Sequence, residues 1–409
     1  MNTLKIILCL ASALLFTACN KEKSHQKTGL PVIYIKTENG NDIRSKTDFL
    51  KARILIISEE GKTLYANSTQ IKGRGNYSWF FSPKKGYRIK LDEKAGLFGM
   101  HDAKNWILVA NYSDPTNLFN TVALELGNRL QMDFCNHTQH VELVINGKHL
   151  GNYLLTEKIE TKKGRVEVNT KKGGFLAELD IHLDEKYSGS SKHYNIPLII
   201  HSPEKEAAFK RAMFLINKID SAISNNNFTY KDYAPYVDVE SLAKYLLHSE
   251  LICNLEWMHP KSIYVYSYDE YDKLHFGMPW DYDWAFGDAR YFDPDRSYSY
   301  FENPTFQSMG KSVIKPCLEG ENAGFHFFNR FFLDPEFCRI YRKTWRTYYK
   351  DIRSIDSYID QMLKKMSVSN KLDAEMWLPF KYNEDSLSTC FQNYMRTRID
   401  AIDKRINSY

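Results

Sequence analysis

The hydrophobic pattern of this chain changes period partway along, and that change limits the possible folds more than any single motif. Up to about residue 180 the apolar residues come in short runs: Val32 and Tyr34, Ala52-Arg53-Ile54-Leu55-Ile56-Ile57, Tyr87-Arg88-Ile89-Lys90-Leu91 and Trp106-Ile107-Leu108-Val109-Ala110. Runs this short, separated by turn residues such as Glu38-Asn39-Gly40-Asn41 and Glu60-Gly61, read as strands. Asn146-Gly147, set between Val141–Ile145 and Leu150–Leu155, predicts a two-residue hairpin. Phe175–Asp180 reads as another strand, and Thr116–Leu130 as the one helix of this half. Beyond Pro203 the spacing turns helical: Phe209, Met213, Ile216, Ile219 and Ile223 share a face, then Leu242, Tyr245, Leu246 and Ser249 behind Asp238, then Ile355, Ile359 and Met366. One hairpin, over 262–279, interrupts the helices. The expected class is α+β: a β-rich N-terminal lobe over 30–190 and a mostly helical C-terminal lobe over 191–409, one bilobal unit hinged near 180–205.

Size and charge narrow the function. A chain of 409 residues can bury its core without covalent staples. With 55 Lys+Arg against 50 Asp+Glu it is not a globally basic nucleic-acid binder, and no nucleic-acid partner is expected. Aromatics at 14% argue against disorder. Residues 1–18 carry Lys5 and an apolar stretch from Ile6 to Phe16, the pattern of an export signal. Small residues then lead to Cys19, so the expectation is a lipoprotein signal peptide with Cys19 lipidated and 19–29 as a tether to the membrane. Asn20-Lys21-Glu22-Lys23 is not an acidic run and leaves the periplasmic and surface faces of the cell envelope equally open. The seven Cys contain no CxxC, and five remain once the signal and lipid Cys are removed. That excludes a full disulfide framework and argues against zinc, leaving thiols expected to be buried packing residues.

Three segments could carry chemistry. In Pro279-Trp280-Asp281-Tyr282-Asp283-Trp284, the two Asp lie just past a strand, and on an extended backbone they would present two carboxylates to one cation. An isolated D-x-D of this kind is more often a solvated turn. The preceding segment, Asn254-Leu255-Glu256-Trp257-Met258-His259-Pro260-Lys261-Ser262, places an acid 25 residues before Asp281 with a strand pair between, the order of a kinase catalytic loop and its metal-binding Asp. In the first half, Lys72-Gly73-Arg74-Gly75 is a Gly-flanked basic turn whose glycines would let backbone approach a phosphate. It is followed by Lys84, Lys85, Arg88 and Lys90, a cluster that is either a solvated face or a site for an anion. Glu157 is a candidate partner for one of these cations. His137 and His140 have H-x-x-H spacing but no identifiable third ligand.

Five blocks together resemble the spore-coat-protein-H (CotH) kinase family: Ile71-Lys72-Gly73-Arg74-Gly75-Asn76, Lys84 to Leu91, Asn105 to Asp114, Gly151 to Ile159, and Gly277 to Gly287. The resemblance implies an atypical protein-kinase-like fold and ATP-dependent phosphorylation of hydroxyl groups on exported proteins, with Mg²⁺ (or Mn²⁺) as cofactor. It implies Asp281 as the metal-binding aspartate with Asp283 as the second metal ligand, and Lys90 as the phosphate lysine ahead of Lys72 or Lys85. Arg74 and Glu157 would assist in cofactor binding. Glu256 stands where the family's Asn-x-Asp segment has its catalytic acid. That departure matters, because a carboxylate displaced by about 1 Å can cost about 10²-fold in rate. Phe119-Asn120 also stands where Arg-Asn is the family pattern. The readings are therefore a lipoprotein kinase acting on an exported protein or envelope component, and a weak or inactive kinase-fold module serving as an envelope binding or structural protein. Scarce ATP outside the cytoplasm speaks for the second. A metal-dependent hydrolase using Asp281 and Asp283 is a distant third.

Overall fold

The computed structural model describes residues 27–254, 256–257, 259–283, 285–286, 323–378 and 383–407. The signal segment, Cys19, most of the tether and Trp284 lie outside the described residues. The strands are β1 (Val32–Thr37), β2 (Leu50–Ile57), β3 (Thr63–Arg74), β4 (Gly86–Ala95), β5 (Ala103–Val109), β6 (Thr138–Ile145), β7 (Lys148–Glu157), β8 (Phe175–Leu179), β9 (Ser188–Ser190), β10 (Pro197–Ser202), β11 (Ile263–Ser267) and β12 (His275–Phe276). The helices are α1 (Tyr77–Phe81), α2 (Phe119–Arg129), α3 (Glu206–Ser224), α4 (Tyr230–Tyr233), α5 (Val239–Leu251), α6 (Ala323–Phe331), α7 (Pro335–Arg353), α8 (Ile355–Trp377) and α9 (Glu384–Asn407). A sheet-rich N-terminal region is thus followed by a helix-rich C-terminal region, as the change of period predicts. No helix among the described residues is long and apolar enough to cross a membrane.

The chain divides into two compact units. The first holds the described residues up to Leu118, with His137–Lys158 and Asp360–Leu387. Its strands close a seven-stranded barrel in the order β1-β2-β3-β4-β5-β7-β6. Neighbours are antiparallel except β1 and β6, which pair in parallel from Val32↔Glu142 to Ile35↔Ile145 and shut the barrel. Alternation fills the interior: Ile33, Ile35, Ile54, Ile56, Ile71, Ile89, Leu91, Trp106, Leu108, Val141, Leu143, Tyr153 and Leu155 are all buried in one cluster. The Asn146-Gly147 turn forms as expected, with φ of 51° and 79°. The Asn146 carboxamide also accepts the Thr37 N–H at 2.9 Å, which ties the hairpin to the end of β1.

The α8 segment from Asp360 onward packs on this barrel through a buried polar seam. Lys84, with no exposed side-chain surface, pairs with Asp373 at 2.7 Å. Asp373 also accepts the Asn152 N–H at 2.9 Å, and burial raises its carboxyl even with Lys84 alongside. Gly151 makes the approach possible: its φ is +89°, and a Cβ there would sit 2.1 Å from the Asp373 Oδ1. His140 is sealed in the same seam, 2.8 Å from the Asn152 Oδ1. Burial pushes its imidazole down to about 4, with nearby Lys84 and Lys365 acting in the same direction. A histidine depressed in the folded state contributes stability that is complete above its unfolded value near 6.5 and is lost as pH falls toward 4. Two pH units of such a gap are worth about 3 kcal/mol. Urea unfolding at pH 7 and pH 4.5 should therefore show a steeper acid loss in wild type than in His140→Gln by about 2–3 kcal/mol, whereas equal slopes would place the acid sensitivity elsewhere.

The second unit takes in Phe119–Asn136, Ile159–Ile359 and the chain from Ser388. The hairpin expected over 262–279 is present as β11 and β12, but it is not isolated among helices. It joins β8, β10 and β9 in a five-stranded sheet of order β12-β11-β8-β10-β9. The short β9 and β10 gave no alternation long enough to register as strands. One face of the sheet, with Phe175, Ala177, Leu179, Leu198, Ile263 and Val265, is buried, and α3 packs on β8, β9 and β10. Asp238 caps α5 as expected, accepting the Ser241 N–H at 2.7 Å. Cys135, Cys253, Cys338 and Cys390 are free thiols, half-buried rather than buried as the composition suggested.

Candidate functional site

Two loops of the second unit bring the acidic residues together. The first follows β12. Its backbone is not the extended strand end the sequence suggested: Met278 and Asp281 take φ of 60° and 61°, and Phe286 closes the turn at 59°. Asp281 and Asp283 are therefore set by a tight turn after Pro279, not by strand alternation. Asp tolerates the left-handed region better than most residues, which suits a polar side chain held at a bend. Tyr282 between them is buried, and its ring packs 5.3 Å from that of His248. Its N–H donates to the Asn120 Oδ1 at 2.9 Å, while the Asn120 Nδ2 donates to the Asp283 Oδ1 at 2.7 Å. At the far end the Phe286 N–H donates to the Ile252 carbonyl at 2.6 Å.

The second loop leaves the end of α5. Cys253 turns left-handed at φ 49°, the Asn254 N–H returns to the Ser249 carbonyl, and the Asn254 Oδ1 accepts the Glu256 N–H at 3.1 Å. These bonds drive Glu256 inward. Its side chain is buried, with the Lys261 Nζ at 3.8 Å. Burial, then Asp281, Asp283 and Asp180, raise its carboxyl well above the ordinary range, opposed by Lys261. Asp180, just past β8, is raised by burial too. Asp180 ends the strand expected over Phe175–Asp180, but its charge reaches Glu256 only through the fold, a proximity that the sequence spacing does not signal.

The cations of the first unit sort differently from their sequence cluster. Lys84 is withdrawn into the ion pair with Asp373, and the Lys85 Nζ donates to the Trp79 carbonyl. Lys90 is on the outer face of β4, opposite in direction to Ile89 and Leu91. Its Nζ lies 5.7 Å from the Phe49 ring centre, with Lys72 at 4.9 Å and Arg88 at 5.4 Å from the same ring. Burial and then Arg88 hold the Lys72 ammonium below its usual value. Arg74 ends β3 at the barrel rim, in register with Gly86. The glycines beside it are not open to a phosphate: a Cβ at Gly73 would meet the Trp79 ring at 2.2 Å, so the close approach there belongs to α1. Glu157 is buried at the end of β7, accepting the His137 N–H at 2.6 Å. Its register with Trp106 puts it on the barrel-facing side, whereas Lys90 is in register with Asn105 on the other, so the structure does not bring Glu157 and Lys90 together. His137 and His140 also part, one to Glu157 and the other to Asn152.

Among the described residues no three His, Cys, Asp or Glu side chains form a ready metal cage. A magnesium ion does not need one: it is usually held by one or two carboxylates, with phosphate and water completing the octahedron. The donor set fits. Asp281 and Asp283 offer hard oxygens, and the Glu256 carboxyl, raised first by burial and then by these two aspartates, lies within reach of their charge.

The family model of the CotH kinase protein matches residues 71–408. The chain belongs to the CotH kinase family. The match covers both carboxylate loops and the helical region, and it begins near the end of β3, after two of the barrel strands. No curated protein matches the chain. CotH kinase membership makes this a kinase-like protein.

Proposed function

We propose that this chain is an exported, lipid-anchored CotH-type kinase, attached to the cell envelope through Cys19, that moves phosphate from ATP to hydroxyl groups of exported proteins with Mg²⁺. The two units are read as the lobes of an atypical protein-kinase-like fold. The reading rests on one observation above the family itself: two loops separated in sequence converge so that Glu256 feels the charges of both Asp281 and Asp283.

In this mechanism Asp281 and Asp283 would hold a magnesium ion, which would supply charge neutralisation for the transferring phosphoryl group. Lys90, with Lys72 and Arg88 around Phe49, supplies cationic charge for phosphate, and Arg74 assists from the rim. Glu256 orients the acceptor hydroxyl and takes its proton as the oxygen bonds to the γ-phosphorus and ADP leaves. Lys261 beside it favours the ionised carboxylate. Catalysis is then positioning plus electrostatics.

The second reading, a weak or inactive module that binds envelope components, is favoured by Glu256 itself. It is longer than the family's Asp, and its burial favours the protonated acid, which is a poor base. Thermal unfolding with ATP, in the presence and absence of Mg²⁺, separates the two. A kinase is stabilised by ATP only when metal is present, and Asp281→Ala loses that shift. At a nucleotide concentration about 100 times Kd the stabilisation is about 2.7 kcal/mol. No shift with any nucleotide and metal would favour the binding module.

A further inference from the structure

We propose that Asn120 is the positioning residue of the carboxylate loop: from the first turn of α2 it fixes the Asp281–Tyr282 peptide and the Asp283 carboxylate in one orientation. The proposal deepens the reading of this loop as the metal-binding element and rests on it for its functional consequence.

Asn120 is 4% exposed, and its amide orientation is not ambiguous. The Tyr282 N–H can only donate, so the Asn120 Oδ1 must face it, which leaves Nδ2 for Asp283. One side chain thus reads a backbone donor and a carboxylate acceptor of the same loop, across 163 positions of sequence. The second bond is to a carboxyl oxygen in a part-buried setting, the kind of acceptor that makes the stronger hydrogen bonds. It directs one Asp283 oxygen toward α2 and thereby sets how the other is presented.

The loop needs such a brace. Asp281 and Phe286, neither a glycine, both take left-handed φ, a conformation that persists only where surroundings over-determine it. The same face of α2 supplies further contacts. The Phe119 ring lies 4.9 Å from that of Phe286. The Ala123 carbonyl accepts from the His248 Nε2 at 2.7 Å, orienting the ring that packs on Tyr282. A Cβ at Gly127 would come within 2.6 Å of the Pro279 Cγ, so helix and loop touch there as closely as backbone allows. Residues 119, 120, 123 and 127 fall on one helical face, and together they meet the loop at its start, middle and end.

The test uses the whole chain with two substitutions. Asn120→Leu keeps the volume and removes both bonds, whereas Asn120→Asp keeps the acceptor for Tyr282 and removes the donor to Asp283. Hydrogen–deuterium exchange of peptides spanning 278–286 reads the brace directly. Calorimetric binding of a non-hydrolysable ATP analogue, with and without Mn²⁺, reads its consequence. In Asn120→Leu, exchange over 278–286 should quicken by about tenfold or more, with the barrel peptides unchanged. The metal-dependent part of analogue binding should weaken by about tenfold, with the metal-free part unaffected. In Asn120→Asp, exchange at Tyr282 should stay near wild type while the metal-dependent affinity still changes. Unaltered exchange over 278–286 in Asn120→Leu overturns the proposal, as does a loosening spread evenly over the chain. If the wild-type chain binds no metal–nucleotide, the reading of the loop as a metal site falls, and the exchange measurement still decides whether Asn120 holds it.

Discussion

Glu256→Ala is expected to lower phosphoryl transfer by about 10²- to 10⁴-fold, the usual share of a positioned general base. The side chain is buried, with the Lys261 Nζ at 3.8 Å. Its loss should fall on kcat, because a group that acts on the acceptor proton contributes little to nucleotide binding. Glu256→Asp restores the family residue and should retain or raise the rate. Radiolabel transfer from ATP to a generic protein acceptor checks both. A Glu256→Ala rate equal to wild type would remove Glu256 from the reaction. The pH dependence has a definite sign. Burial and the two aspartates raise this carboxyl, so the basic form is gained only as pH climbs above the ordinary carboxylate range, and the rate should climb with it. Because this carboxyl is raised in the folded state, it contributes stability at low pH that is lost as pH rises through its raised value.

Lys84→Met is expected to cost about 3–5 kcal/mol of stability at neutral pH, the penalty for stranding a buried partner charge. Asp373 is nearly enclosed, and beyond Lys84 its carboxylate is met by the neutral Asn152 N–H and Asn117 side chain, which carry no balancing charge. The cost should shrink in acid, where Asp373 takes up a proton more readily than a surface carboxylate. Pairing Lys84→Met with Asp373→Asn removes the stranded charge, keeps an acceptor for Asn152, and should recover most of the loss. Urea unfolding of the single and double substitutions at pH 7 and pH 5 decides the matter. A single substitution that unfolds like wild type would show that the seam is not held by this pair.

Local structure was legible wherever the pattern was long and repetitive. The hairpin at Asn146-Gly147, the cap at Asp238 and the α3 stripe from Phe209 to Ile223 all follow from turn chemistry or a sustained 3.6-residue period. What pairs with what was not legible. The parallel contact of β1 with β6 joins segments more than a hundred residues apart, and β9 has three residues. The cationic cluster at 84–90 shows the same divide at the site. Four charges adjacent in sequence looked like one patch, yet strand alternation and a partner at position 373 sent Lys84 inward and left Lys90 outside. Acidic residues were easier to pick out, since Glu256, Asp281 and Asp283 stand in short loops where an apolar neighbourhood makes a carboxylate conspicuous. Asn120 stood out only as the retained half of the family's Arg-Asn pair, and its contact 163 positions away was not legible, because nothing in an amphipathic helix reveals which polar residue faces a distant loop.

The way the barrel shuts bears on how the protein can be produced in pieces. A recombinant fragment trimmed to the family-matched range would begin at Ile71 and lack β1, β2 and most of β3. β6 would then present to the solvent the row of backbone donors and acceptors that β1 pairs, β4 would keep only the Ile71–Arg74 remnant of β3 beside it, and the barrel interior would lose the isoleucines of β1 and β2. Such raw margins recruit other chains, so a fragment cut at that boundary should clump where one starting before Leu30 stays dispersed.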